Sequence, residues 1–182
     1  RSCHGAHERD TSQAGRRGFE SRLPLNLLAR RAVDLAAAII GGVKVYFAGP
    51  LFTSAERSWN AEVAGALRAA GHEVFLPQEK EPGKDAAGIF ATDVGGIDWA
   101  DGVVAIMDGP DPDSGTAWEV GYAFRKKPIV LVRTDFRTLA GRFGDYNLML
   151  AQAATIRLDL PESTTTEVAD AIIEALARLG SA

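Results

Sequence analysis

From Val43 onward, short apolar runs alternate with longer segments in which apolar residues recur every three or four positions. A short apolar run is typical of a buried strand, and the longer spacing is typical of a helix with one buried face. The runs predict five strands, which are Val43–Ala48, Glu73–Leu76, Gly102–Met107, Pro128–Val132 and Ala154–Leu158.

The segments between and after the runs predict four helices, which are Ala55–Ala70, Ile89–Ala100, Ser114–Arg125 and Glu162–Leu179. Ser54 is expected to cap the first helix with its side chain, because serine is favoured at that position. Gly71 is expected to end the same helix. Two polar stretches that contain Pro and Gly are predicted to be loops, namely Glu79–Gly88 and Asp108–Ser114.

Strands that alternate with helices form βαβ units in a parallel sheet. Because the crossovers of such units are right-handed, the helices cover both faces of the sheet. The sequence therefore predicts a single-domain, doubly wound α/β fold of the flavodoxin or Rossmann-like type, with a five-stranded parallel sheet. Ligands bind to such folds at the carboxyl ends of the strands, which here carry Gly49, Pro77, Asp108 and Arg133.

Residues 1–42 lack this pattern and carry 7 Arg against 4 acidic residues. We assign them to an N-terminal extension and assign residues 43–182 to the α/β domain. The extension is either a disordered segment with a short helix over Leu27–Ile40 or an over-extended reading frame whose native start is Val43. The second hypothesis rests on the string Gly18–Arg22, which resembles a translated transfer-RNA arm, and on the lack of a Met before Met107.

Bulk composition narrows the classes of function. Hydrophobic residues make up 46% and charged residues 24% of the chain, as in ordinary globular proteins. The net charge of −4 gives no indication of a nucleic-acid partner. The longest uncharged apolar stretch of the extension, Leu35–Val43, is far shorter than the roughly 20 residues that span a membrane. We therefore expect neither a nucleic-acid nor a membrane partner.

Cysteine and histidine are scarce. Cys3 is the only cysteine, so no intramolecular disulfide can form, and a reducing, cytoplasmic setting fits. The histidines, which are His4, His7 and His72, form no zinc-type cluster. Neither GxGxxG nor the GxxxxGK[ST] phosphate loop is present. We expect no metal and no organic cofactor.

The stretch Asp108–Tyr122 is the richest in candidate chemistry. Asp108, Asp111 and Asp113 crowd a loop after an apolar run, and Glu119 follows among large apolar neighbours. Partial burial of a carboxylate raises its pKa and its nucleophilicity unless a hydrogen bond holds it. The alternative is structural, with Asp113 or Ser114 as a helix cap and Glu119 exposed to solvent.

Three further residues are individually weak candidates. Tyr46 on the first strand could reach a carboxylate with its hydroxyl, although a single tyrosine there is more often part of the core. Asp93 lies in an apolar helical segment, where an acid needs a partner or a function unless it points to solvent. Phe52 follows the turn Gly49-Pro50 and could stack on a base, although an exposed loop phenylalanine is also common.

Together these residues resemble the nucleoside 2-deoxyribosyltransferase family over Val43 to about Leu158. Four motifs carry the resemblance. They are Tyr46 with Gly49 and Phe52, the acidic segment Asp93–Asp98, the set Asp113, Gly115, Glu119 and Gly121-Tyr122-Ala123, and Asn147-Leu148-Met149. Their order and spacing make the resemblance much stronger than any one motif does.

The resemblance implies a reaction and a role for each residue. The reaction is transfer of a 2-deoxyribosyl group between nucleobases through a covalent intermediate, so the expected partners are a deoxynucleoside and a free nucleobase. Glu119 would be the nucleophile, Tyr46 would hold its carboxylate, and Asp93 would protonate the departing base. Asp113 would bind the sugar hydroxyl side. Asn147, with Met149 beside it, would complete the sugar pocket of a neighbouring subunit, which implies a homo-oligomer.

Two other functions remain as alternatives. The first is an N-hydrolase of 2′-deoxynucleoside 5′-monophosphates, for which the turn after the first strand should be rich in Gly, Ser and Arg. Here that turn is Gly-Pro-Leu-Phe-Thr-Ser, and Arg57 lies only on the following helix. The second is a nucleotide-binding module without catalysis, although every catalytic position that the resemblance implies is filled. Fold alone does not decide among the three.

Overall fold

The computed structural model describes residues 42–136 and 147–180, and the helix predicted over Leu27–Ile40 lies outside these ranges. The strands are β1 (Lys44–Ala48), β2 (Glu73–Phe75), β3 (Gly102–Ile106), β4 (Ile129–Arg133) and β5 (Ile156–Asp159). The helices are α1 (Ser54–Ala69), α2 (Pro77–Lys80), α3 (Ala86–Trp99), α4 (Ser114–Ala123), α5 (Leu148–Ala153) and α6 (Thr165–Gly180). The division of the chain at residue 43 stays a prediction.

The sheet has the order β2-β1-β3-β4-β5, and every neighbouring pair is parallel. The predicted doubly wound α/β fold is therefore confirmed. β1 lies inside the sheet, where Tyr46 is in register with Phe75 of β2 and Val103 of β3. The order of the strands reverses between β1 and β3, and in open α/β sheets such a switch point leaves a crevice at the carboxyl ends.

Helices cover both faces of the sheet, and the alternation of β1 assigns its side chains to two separate cores. Val45 and Phe47 pack with residues of α1 and α6, whereas Tyr46 and Ala48 pack with Ile97 of α3 and Val120 of α4. Successive side chains of a strand point to opposite faces. Tyr46 consequently points into the layer that carries Asp93 and Glu119.

The cap of α1 and the start of α3 differ from the prediction, and local capping side chains explain both differences. Thr53, not Ser54, caps α1, because the Thr53 hydroxyl accepts a hydrogen bond from the Glu56 amide (3.2 Å) and the Glu56 carboxylate accepts one from the Thr53 amide (2.7 Å). These two hydrogen bonds satisfy two backbone amides at the start of α1, which favours Thr53 over Ser54 as the cap. Asp85 caps α3 by accepting from the amide of Gly88 at 2.8 Å, so α3 begins earlier than predicted.

Two short helices were not predicted. α2 begins at Pro77, where proline suits the first helical position, so the predicted loop Glu79–Gly88 holds the end of α2 and the start of α3. α5 has six residues and follows Asn147. Neither helix is long enough to display an apolar period in the sequence.

Gly71 ends α1 as predicted, with a φ of 96° that suits glycine. Within the two described ranges, no helix is long and apolar enough to cross a bilayer.

Gly96 of α3 is required by the packing that supports Tyr46. A Cβ on Gly96 would lie 2.7 Å from the ring of Phe75, and that ring stacks on Tyr46 with the ring centroids 5.4 Å apart. Gly95 is a matched control, because a Cβ there would meet nothing within 4 Å.

We predict that Gly96→Ala lowers the free energy of unfolding by about 1–3 kcal/mol, as overpacking does. Gly95→Ala should instead raise it by up to about 1 kcal/mol, because alanine is the better helix former. Chemical denaturation of the two variants measures both effects. Equal stability of the two variants would contradict the packing account.

Candidate active site

A hydrogen bond between Tyr46 and Glu119 lies at the centre of the candidate site. The Tyr46 hydroxyl donates to Oε1 of Glu119 at 2.5 Å, and the two residues are 73 positions apart in the sequence. Tyr46 comes from β1 and Glu119 from the middle of α4. Charge-assisted O–H···O⁻ bonds are short and stronger than neutral ones. The sheet and the helix therefore fix the Glu119 carboxylate from two sides.

Tyr46 serves as a donor because its proton is held firmly. Its side chain is fully buried, and burial raises the pKa of the phenol far above its usual value, with further contributions from Glu119, Asp93 and Glu81. In the folded protein the Tyr46 hydroxyl therefore stays protonated at ordinary pH. A neutral, buried donor orients a carboxylate without adding a charge.

Glu119 is half-buried and titrates near neutrality. Burial raises the pKa of its carboxyl to about 7. The hydrogen bond from Tyr46 lowers it, and the negative charges of Asp93, Asp113 and Glu81 raise it. Desolvation outweighs the hydrogen bond, so the carboxylate is a stronger base than an exposed glutamate and a better nucleophile. Glu119 is therefore not the solvated helix residue of the structural alternative.

Asp93 of α3 is the second carboxyl with a raised pKa. Burial and, to a lesser degree, the neighbouring Glu81 raise the pKa of Asp93 to about 6, against the opposing effect of Lys84. Its Oδ1 atom is buried and has no hydrogen-bond partner among the described residues. Asp93 does not point freely to solvent, and its unpartnered buried oxygen makes it a candidate for a functional role.

Asp113 combines a structural position with proximity to Glu119. Its Oδ2 atom accepts hydrogen bonds from the amide of Thr116 (2.8 Å) and from the Thr116 hydroxyl (3.2 Å), so Asp113 is the N-cap of α4. Its charge also raises the pKa of Glu119. Asp113 is therefore a helix cap, as the structural alternative predicts. It also belongs to a carboxylate cluster, which comprises Glu119, Asp93, Asp113 and Glu81.

The turn after β1 passes close to β3. A Cβ on Gly49 would lie 3.3 Å from the side chain of Ile106, so the chain passes tightly over β3 at this point. The Asn60 amide donates to the carbonyl of Pro50 at 2.9 Å and fixes the turn. Phe52 is 71% exposed. Its ring has the accessibility that stacking on a base would require.

Asn147 and Met149 lie at the start of α5. Oδ1 of Asn147 accepts from the Met149 amide at 2.9 Å, and Met149 is 77% exposed. Among the hydrogen bonds of residues 42–136 and 147–180, none joins Asn147 to Glu119, Asp93 or Asp113. Within one chain, these two residues are therefore not joined to the carboxylate cluster.

The sequence singled out Asp108 but not its hydrogen-bond partners, and it did not single out Glu81. Asp108 accepts from the Thr134 amide (2.6 Å), the Thr134 hydroxyl (2.6 Å) and the Asp135 amide (3.1 Å). Asp108 thereby joins the loop after β3 to the loop after β4. Glu81, in the predicted loop, acts electrostatically on Asp93, Glu119 and Tyr46. Its only sequence signal is its place in a polar segment after the second strand.

A metal site is not indicated in this part of the molecule. Across the described ranges, no three His, Cys, Asp or Glu side chains are grouped in a way that could hold a metal ion.

Known proteins resemble the chain in sequence and in fold. A family model for nucleoside 2-deoxyribosyltransferases matches residues 45–175. A conserved protein from Enterococcus faecalis V583 is 27% identical, with a TM-score of 0.59 over 74% of this chain and 99% of that one. A 2-deoxyribosyltransferase from Bacillus psychrosaccharolyticus is 26% identical, with a TM-score of 0.52 over 71% of this chain and 94% of that one.

A CMP N-glycosidase from Clostridium botulinum, BcmB, is 18% identical, with a TM-score of 0.51 over 74% of this chain and 98% of that one. At this identity the likeness shows the fold alone. No curated protein sequence matches the chain significantly.

We predict that Tyr46→Phe raises the pKa of Glu119, because the lost hydrogen bond is the contribution that lowers it. NMR titration of the glutamate side-chain carboxyl carbons measures this pKa directly. Tyr122→Phe is the matched control, since the Tyr122 hydroxyl donates to Asp98 at 3.1 Å and not to Glu119. An unchanged or lowered Glu119 pKa in Tyr46→Phe would contradict the assigned hydrogen bond.

Proposed function

The chain belongs to the nucleoside 2-deoxyribosyltransferase family, and we propose that it transfers the 2-deoxyribosyl group of a deoxynucleoside to another nucleobase through a covalent bond to Glu119. The observation that carries the proposal is the Tyr46–Glu119 hydrogen bond, which orients a half-buried carboxylate of raised pKa. Glycosyl transfer with retention needs a carboxylate of this kind and a second group that protonates the departing atom. Asp93 is the candidate for that second group.

The first step forms one bond and breaks one bond. A carboxylate oxygen of Glu119 bonds to the anomeric carbon while the glycosidic C–N bond breaks, and the electron pair of that bond goes to the base nitrogen. Asp93 supplies the proton that neutralises the departing base. This division splits a difficult displacement into two easier ones, with a deoxyribosyl ester of Glu119 between them.

The second step reverses the first with a different base. A nitrogen of the incoming base attacks the anomeric carbon, the ester bond breaks, and its electron pair returns to the Glu119 carboxylate. Asp93, now ionised, accepts the proton that the incoming base loses. The reaction needs no net change in protonation and is expected to follow ping-pong kinetics. Entry of water in place of the second base would produce free deoxyribose.

The remaining residues are proposed to bind substrate. Asp113 faces the Glu119 region and offers a carboxylate to the sugar hydroxyls, while it keeps its cap on α4. Phe52 is exposed at the turn after β1 and offers a stacking surface for the base. Gly49 lets that turn pass close to β3. The cytoplasmic setting and the independence from metals and organic cofactors stay predictions.

We further propose a homo-oligomer in which α5 of one subunit completes the site of another. Leu148 and Met149 are 70% and 77% exposed, and large exposed apolar side chains at a helix start favour a protein interface. Asn147 has no bond to the carboxylates of its own chain among the described residues. Asn147 is therefore proposed to act in the active site of the neighbouring subunit and not in that of its own chain.

Hydrolysis of a deoxynucleoside monophosphate is the second candidate. The observation that favours it is the guanidinium of Arg57, which lies at the turn after β1, where a 5′-phosphate would need a cation. That guanidinium already donates to the carbonyl of Leu51 at 3.1 Å. Because Asp113 and the segment Asn147-Leu148-Met149 fit the transferase motifs, we place transfer before hydrolysis.

We predict that purified protein converts deoxyinosine and free adenine or cytosine into deoxyadenosine or deoxycytidine, as followed by chromatography. Glu119→Ala should reduce the rate by about 10³-fold or more, as loss of a nucleophile does. Glu174→Ala, an exposed glutamate of α6, should leave it unchanged. Release of hypoxanthine and deoxyribose alone would favour hydrolysis, and binding without turnover would favour a binding module.

Co-expression of two inactive chains tests the shared site. Asn147→Ala and Glu119→Ala should each be impaired alone, but a mixed oligomer contains sites with an intact Glu119 from one chain and an intact Asn147 from the other. For a dimer with random pairing, activity should return to about a quarter of the wild-type value. No recovery in tagged, purified hybrids would place Asn147 outside the neighbour's site.

A further inference from the structure

An aromatic ladder, made of Phe90, Trp118 and Tyr122, joins α3 to α4 at the surface of the molecule. The ring centroids of Phe90 and Trp118 lie 5.3 Å apart, and those of Trp118 and Tyr122 also lie 5.3 Å apart with the rings stacked. Phe90 is 57% exposed and Trp118 is 46% exposed. The proposed reaction uses none of these rings, and apolar surface of this kind favours a partner that removes it from water.

The polar groups at one end of the ladder already have partners within the chain. The Tyr122 hydroxyl donates to Oδ1 of Asp98 at 3.1 Å, and the Lys126 ammonium lies over the Tyr122 ring, 4.1 Å from its centroid. The ladder therefore has an apolar part at Phe90 and Trp118 and a charged border at Tyr122. An apolar centre with a polar rim is the usual anatomy of a protein interface.

α4 is the middle helix of its layer, because it contacts α3 on one side and α5 on the other. Leu150 and Ala151 of α5 pack on the same core as Val120 of α4. Leu148 and Met149, at the start of α5, are more than two-thirds exposed. Three neighbouring helices thus carry exposed apolar side chains. We call this surface the α3–α5 face and define it by Phe90, Trp118, Leu148 and Met149.

The exposed area of the α3–α5 face suits a protein partner. Side chains of this size bury roughly 150–250 Å² each when they are fully covered, so the four together expose on the order of 500 Å². One side of a standard interface buries roughly 800 Å², which these four and their polar neighbours approach. Among the described residues, the helices on the other side of the sheet, α1 and α6, carry no large exposed apolar side chain.

We propose that the α3–α5 face binds a second copy of this chain about a two-fold axis that runs along α4, where the choice of axis rests on the proposed shared site. Such an axis sets Trp118 near its own copy and turns α3 of one subunit toward α5 of the other. A two-fold axis across α4 would instead set α5 against α5. Asn147 would then lie away from the neighbour's Asp93 and Glu119.

The axis along α4 also defines which side chains meet. Leu148 of one subunit lies against Phe90 of the other. Phe90 and Asp93 are three residues apart on α3, so they are neighbours on the helix surface. Asn147 directly precedes Leu148 and is thereby brought toward the Asp93 side of the neighbour's site. Burial of the ladder and completion of the site are consequences of the same contact.

Sedimentation velocity at micromolar concentration tests the face. The wild type is expected to be a dimer or a larger oligomer, and Trp118→Arg should weaken its self-association at least about 30-fold, as loss of a central aromatic does. Ala61→Arg adds the same charge to the exposed surface of α1, on the other side of the sheet, and should associate like the wild type. Leu148→Arg carries the test if circular dichroism shows that Trp118→Arg does not fold.

Chemical cross-linking tests the axis. Cys3 is the only cysteine, so Phe90→Cys and Leu148→Cys are introduced together in a Cys3→Ser background, where only the new thiols react. A short bismaleimide should join two chains of this variant and produce a band of twice the chain mass on a denaturing gel. Leu148→Cys alone should stay at the mass of one chain. Efficient cross-linking of Leu148→Cys alone would show α5 against α5 and overturn the axis.

The outcomes separate this inference from the proposed function. A monomeric wild type, or Trp118→Arg and Leu148→Arg variants that fold and associate like the wild type, would overturn the interface whatever the wild type catalyses. Association that depends on Trp118, together with a cross-link between Phe90→Cys and Leu148→Cys, supports it. If the wild type then shows neither base exchange nor cleavage of deoxyinosine, the proposed function fails and the interface stands.

Discussion

The candidate site depends on the hydrogen bond between the Tyr46 hydroxyl and the Glu119 carboxylate. This bond joins the interior strand β1 to α4, and it requires Tyr46 to face the α3–α4 layer. The alternation of β1 provides that orientation, and Phe75 supports it by stacking on the Tyr46 ring. Gly96 in turn leaves room for Phe75. Packing in the core between the sheet and the α3–α4 layer is thus linked directly to the position of the Glu119 carboxylate.

Electrostatics adds a second constraint. The cluster gathers Glu119, Asp93, Asp113 and Glu81, and the negative charges of neighbouring members raise the pKa of Glu119 and of Asp93. Burial raises the pKa of both Glu119 and Asp93 toward neutrality, so both carboxyls exchange protons near neutral pH. Holding such a cluster costs stability, which proteins commonly accept at functional sites. Asp108 accepts three hydrogen bonds from Thr134 and Asp135, which join the loop before α4 to the loop after β4.

Much of this architecture could be predicted from the sequence because it follows from long patterns. The apolar runs identify all five strands, and the loop-to-helix stretch after β3 singles out Glu119 and Asp113. The features that the sequence did not predict have local causes. Thr53 and Ser54 are both good caps, and only Glu56 at the third position decides between them. α5 is too short to show a period, and residue spacing does not reveal that the charge of Glu81 raises the pKa of Asp93.

The central claim is that Glu119 carries the sugar during the reaction, and acid-quenched mass spectrometry tests it most directly. Protein incubated with deoxyinosine, quenched in acid and digested should contain a peptide that spans Glu119 with the mass of one added deoxyribosyl group. Addition of adenine before the quench should remove that mass as deoxyadenosine forms. Turnover of deoxyinosine with no adduct, or with the adduct on another residue, would contradict the account.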